Sequence, residues 1–164
     1  MEYAFQTTRT PARRGALDRI HAVVRGVIEQ TRYLSPLVDV AIRLLVAYVF
    51  FRSGLTKIAS WDSTIALFEN EYSVPLLPPA IAALLGTAAE LSLPVFLTLG
   101  LATRFAAAAL FVFNIVAVIS YPDLGEVGLM QHQYWGLFML VMVVHGPGKL
   151  SLDHLIARAF AKRT

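Results

Sequence analysis

Apolar residues fill four stretches of the chain, at 37–58, 80–100, 104–120 and 129–146. At ~1.5 Å rise per residue, stretches of this length cross a hydrocarbon core of ~30 Å as helices. The fourth is the least uniform, because Gln131, His132 and Gln133 stand near its start. The pattern predicts an all-α fold: an integral membrane four-helix antiparallel bundle. Ahead of it, Leu17, Ile20, Val24, Val27 and Ile28 recur at helical spacing among arginines. That segment reads as an N-terminal amphipathic cytoplasmic helix lying on an anionic leaflet, with a partner-docking arm as the alternative.

Charge gives the expected orientation. Arginines 9, 13, 14, 19, 25 and 32 precede the first span, Arg104 lies between the second and third, and Lys149, Arg158, Lys162 and Arg163 follow the fourth. On the other side stand Lys57 and five acids, Asp62, Glu69, Glu71, Asp123 and Glu126. The positive-inside rule places both termini in the cytoplasm and the 59–79 and 121–128 loops outside. The first of these loops, with Phe68, Tyr72 and the prolines up to Pro79, reads as an interfacial cap on the bundle; a binding lid is the sharper alternative. Residues 1–36 hold no uninterrupted apolar core, so no cleavable signal peptide is expected.

The composition agrees. Of 164 residues, 57% are hydrophobic and 15% charged, against about a quarter charged in soluble domains. Mean hydropathy is +0.61. The pI near 9.4 follows from the basic flanks of the spans, and nucleic acid is not an expected partner. The absence of cysteine excludes disulfides, thiolate metal sites and a dithiol relay by the chain's own side chains. His132 and His145 share one span, about 20 Å apart, and cannot clamp one haem. No metal-ligand spacing, P-loop or nucleophile triad is visible, so no metal site or built-in cofactor is expected.

The informative residues are the polar ones at membrane depth. Glu90 is the only charge within 80–100, and an ionised side chain there needs a partner and a protein-facing position. Counting from the expected start of each span puts Arg43 about 10 Å and Glu90 about 15 Å from the cytoplasmic face, with Asn114 level with Glu90. This predicts a structural Arg43–Glu90 ion pair with Asn114 satisfying spare hydrogen-bonding capacity. Arg52 and His132 lie farther out, about 21–23 Å deep, with Tyr48 near them. Arg52, His132, Tyr48 and Glu90 are therefore candidate ligand-binding residues. Against this, buried pairs often only fix helix register, and Arg52 and Lys57 have stems long enough to snorkel to the outer interface.

Several segments, taken together in order and spacing, resemble the DoxX family. They are residues 43–57 (RLLVAYVFFRSGLTK), 72–76 (YSVPL), 89–91 (AEL), 99–104 (LGLATR) and 145–153 (HGPGKLSLD). The resemblance covers roughly residues 38–156. It implies a four-helix inner-membrane protein associated with membrane redox systems, since the family is named for a subunit linked to thiosulfate:quinone oxidoreduction. The positions it marks are Arg43, Gly54, Lys57, Glu90 and residues 146–153. That last segment also has a local reading: Gly146 and Pro147 end the fourth span, and Ser151 N-caps a short helix. The chain then divides into a basic segment 1–36, a DoxX-like domain 37–156 and a basic tail 157–164.

The expected function is an accessory subunit of a redox or stress-response system in the bacterial inner membrane. It would bind a quinone-like small molecule in the polar bundle interior without catalysing a reaction by itself. A non-catalytic scaffold or chaperone whose buried charges are structural is the alternative, and a small transporter comes third. Expected partners are membrane lipids and a redox-related membrane or cytoplasmic protein, with a homo-oligomer left open.

Overall fold

The computed structural model describes residues 11–162, so Arg9 and Arg163, used above in the charge count, lie outside the described residues. The chain forms two compact units, 1–35 and 36–164. Six helices are present among the described residues: α1 (Pro11–Ala59), α2 (Trp61–Asn70), α3 (Pro79–Leu99), α4 (Thr103–Ser120), α5 (Gly125–His145) and α6 (Leu152–Ala161). Four of them, α1, α3, α4 and α5, are long and apolar enough to span a membrane. The chain is an all-α, multi-pass membrane bundle.

In the N-terminal unit the apolar positions Leu17, Ile20, Val24, Val27 and Ile28 are all at least half exposed. Pro36 stands inside helix α1. Proline removes one intrahelical hydrogen bond, and the chain here tolerates the loss.

The second unit is built around one core shared by the four spans. Val46, Ala47 and Phe50 of α1 meet Leu97 of α3, Ala106, Ala107 and Leu110 of α4, and Met139 and Met142 of α5. Small residues at 106 and 107 let α4 approach its neighbours. Gly54 does the same for α1 and α3. A Cβ at that position would stand 2.8 Å from Leu91 Cδ2 and 3.1 Å from Glu90 Cβ.

The two ends of the bundle are tied differently. At one end α2 replaces the expected irregular cap. Thr64 Oγ1 donates to the Lys57 and Ser60 carbonyls (2.9 and 3.1 Å), satisfying the end of α1, and Phe68 packs on Ala82 and Ala83 of α3. Ser73 N–H donates to the Ser120 carbonyl (2.8 Å), fastening the following loop to α4.

At the other end Gly100, in the left-handed region at φ 66°, closes α3. Ala102, also left-handed at φ 46°, begins α4 with no side chain able to cap it. Asp153 supplies the cap from α6, accepting from the Ala102 and Thr103 N–H groups at 2.8 and 2.9 Å. Ser151 in turn caps α6 by accepting from His154 N–H (3.1 Å), as its position predicts. Burial raises the pKa of the Asp153 carboxyl, but these backbone donors and the nearby Arg43 charge outweigh it and hold the group below the usual carboxylate range.

Candidate functional site

Glu90 is 4% exposed, and its partner is Lys57. Lys57 Nζ donates to both carboxylate oxygens, at 2.7 and 2.6 Å, and to Ser53 Oγ at 3.0 Å. Ser53 Oγ donates to Glu90 Oε1 at 3.1 Å. The arrangement follows from helical geometry. Ser53 and Lys57 are four residues apart on one face of α1, which Gly54 brings close to α3. Pro94, four residues after Glu90, has no N–H to donate to the Glu90 carbonyl.

The expected Arg43–Glu90 pair is not formed. Arg43 lies at the α6 end, where Nη2 donates to the Leu150 carbonyl and Nη1 faces Gly100. Gly100 is ten residues from Glu90, about 15 Å along α3. The depth count failed because α1 does not begin at residue 37, so the onset of hydropathy does not mark the level at which α3 ends. Arg43 is 3% exposed, with Asp39 and Asp153 supplying compensating negative charge.

Asn114 serves His132 instead. Asn114 Nδ2 donates to the His132 carbonyl at 3.0 Å, which turns Oδ1 toward the imidazole, 2.7 Å from Nδ1. Oδ1 only accepts, so in the neutral ring Nδ1 carries the proton and Nε2 presents a lone pair. The ring is also held edge-on by Trp135, at 4.8 Å between centroids.

Glu90, Lys57, Ser53 and His132 line one internal cavity of about 250 Å³ at the α2 end. Its remaining wall is largely aromatic. Phe50 packs edge-on against Phe113 and Trp135 (6.2 and 5.8 Å), and Tyr72 packs edge-on against Phe68 and Tyr121 (4.9 and 5.0 Å). Ser120, 4% exposed, adds a buried hydroxyl with no hydrogen-bond partner among the described residues. Burial raises the Tyr72 phenol above its ordinary pKa, reinforced by Tyr121, Glu71 and Glu90, so it remains a protonated donor. The cavity thus offers an unpartnered hydroxyl at Ser120, an acceptor at His132 Nε2, the positive charge of a fully hydrogen-bonded Lys57, and flat apolar walls.

Arg52 and Tyr48 are not part of this lining. Arg52 Nη1 donates to Tyr48 Oη at 3.0 Å on the exposed face of α1, with the guanidinium over the Tyr48 ring. The depth count also said nothing of direction. At ~100° per residue, Arg52 points half a turn away from Arg43, while Lys57 returns to within about 40° of it. Ser53 and Phe50, which the sequence reading missed, and Lys57, which only the resemblance marked, share the face of Val46, so the helical wheel was the signal that could have found them.

The DoxX family profile matches residues 38–122. A Haemophilus influenzae protein described only as uncharacterized is 30% identical over 132 residues, covering 75% of this chain and 85% of its own length. No solved structure matches the chain.

Proposed function

The chain belongs to the DoxX family, and from that premise we propose that it is a ligand-binding accessory subunit of a membrane redox or stress-response system, taking a quinone-class molecule in its internal cavity. One observation carries the reading: a buried ion pair, an orphan hydroxyl and an acceptor imidazole converge on a single aromatic cavity within the bundle. Pockets of this kind, mostly apolar with a few placed polar groups, are the usual form of small-molecule sites. In this reading Ser120 donates to a ring carbonyl that lies in the field of the Lys57 ammonium, His132 Nε2 accepts from a ring hydroxyl, and Phe113 and Trp135 flank the ring. Glu90 holds the Lys57 ammonium in place. The basic flanks support a reading with both termini in the cytoplasm of a bacterium and the cavity near the outer side of the inner membrane.

The test is a binding titration in a Trp61→Phe background, where Trp135 is the remaining tryptophan and reports from the cavity wall. A soluble benzoquinone should saturate the quenching. His132→Leu should raise Kd about tenfold, the loss of one hydrogen bond in a desolvated site. Arg52→Ala should leave it unchanged. Non-saturating quenching in the parent protein would sink the proposal.

The rival is a scaffold, and a specific contact favours it: Lys57, Glu90 and Ser53 satisfy one another without any ligand. It accounts for the ion pair. It leaves the unpartnered Ser120 hydroxyl and the free His132 Nε2 unexplained.

A further inference from the structure

His132 lines two spaces at once. One is the internal cavity; the other is a groove of about 340 Å³ between α4 and α5. Asn114, which holds the His132 ring, lies in the groove together with Gly136. Ile115, Ile119 and Leu140 form apolar walls on the exposed surface of the spans. Gly136 keeps the floor low: a Cβ there would meet the Phe111 ring at 3.4 Å and Asn114 Nδ2 at 3.5 Å, ordinary packing distances, and because Gly136 lines the groove a larger side chain there takes up groove space.

The geometry points to the α4–α5 groove as a tail subsite: the ligand is a planar polar head carrying a long alkyl or prenyl chain, with the head in the cavity and the chain running past His132 to the bilayer. This rests on the reading of the cavity given above. The shared residue carries it, because His132 lines both spaces. The ring is held by one hydrogen bond to Asn114 and the edge of Trp135, a restraint that a rotation of the imidazole can release. A tail in the groove stays in apolar surroundings along its length, while the head reaches the donors and acceptor of the cavity. The same path gives a membrane-dissolved molecule lateral access to a site inside the bundle.

The experiment uses the full chain with Trp61→Phe, in vesicles of phosphatidylethanolamine and phosphatidylglycerol. The probes are a headgroup-only benzoquinone and the same head bearing a decyl tail. Gly136→Leu should weaken the decyl compound about tenfold, the effect of roughly two methylenes leaving contact, and leave the headgroup compound unchanged. Partitioning cancels, because parent and variant are compared in the same vesicles. Ile115→Phe narrows the groove from its exposed wall without adding a second tryptophan and should give the same result, which covers the case in which Gly136→Leu fails to accumulate. If the ratio of the two affinities is the same in parent and variants, the groove holds only bulk lipid and the inference is overturned, with the cavity reading intact. If the headgroup compound does not bind the parent at all, the cavity reading fails and the tail subsite falls with it.

Discussion

Lys57 Nζ stands within 2.7 Å of both carboxylate oxygens of Glu90, so the buried acid of α3 is neutralised from α1 at the cavity wall. Arg43, the partner expected from depth, is committed to the α6 end through the Leu150 carbonyl. These two facts separate the polar interior into an electrostatic clamp at one end and a candidate site at the other.

The separation is measurable by double-mutant cycles on unfolding in a membrane mimetic. Lys57→Met and Glu90→Gln should each cost about 3 kcal/mol, because a lone charge is left buried, and the double variant should cost far less than their sum. Arg43→Gln and Glu90→Gln should add independently. Strong coupling in the second cycle would contradict the assignment.

Gly54 should not tolerate a side chain. Gly54→Ala places a methyl 2.8 Å from Leu91 Cδ2 and 3.1 Å from Glu90 Cβ, which forces α1 away from α3. The expected cost is about 1–3 kcal/mol, read as a lower melting temperature. Lys57 should also become accessible to an amine-reactive reagent. An unchanged Tm with unchanged labelling would show that the two helices do not approach this closely.

At the α6 end, Asp153 bears on pH dependence. Its folded pKa lies below the ordinary carboxylate value, so its stabilising contribution is present above the unfolded pKa of about 3.9 and is lost as pH falls through the folded value. Asp153→Asn should remove that acid-side dependence and cost about 1 kcal/mol through the weakened cap on α4. Thermal scans of both proteins between neutral and acidic pH test it. Parallel curves would contradict the role.

Tyr72 has the opposite sign. Its phenol is raised by burial, so the folded state keeps a proton that the unfolded chain loses near pH 10, and stability falls as pH rises through that region. An ultraviolet absorbance titration should show one late-ionising tyrosine that disappears in Tyr72→Phe. If the late phase persists in the variant, the cavity rim is more solvated than its contacts imply.

The spans were legible because an apolar run of ~20 residues matches the thickness of a bilayer core, and the structure places α3 and α4 within one residue of the expected bounds. Ser151 was legible for a similar reason: a capping residue after Gly and Pro acts locally. The partners were not. Which charge meets Glu90 depends on the relative register of α1 and α3 and on azimuth, and both are fixed by contacts remote in sequence, such as Gly54 on Leu91. Lys57 sits at the end of an apolar run, where snorkelling and inward pairing look identical from composition. Asp153 capping α4 across 51 residues leaves no local trace.

The central claim is that the cavity holds a molecule, and the most direct measurement is native mass spectrometry with solvent extraction of protein purified gently from its own membrane. Ala117 lines the cavity and is no member of the Lys57–Glu90 ion pair, so Ala117→Phe fills the space and leaves that pair in place. A near-stoichiometric quinone-class adduct should accompany the wild type and be missing from Ala117→Phe. A wild type that carries nothing, or the same adduct in both proteins, would contradict the account.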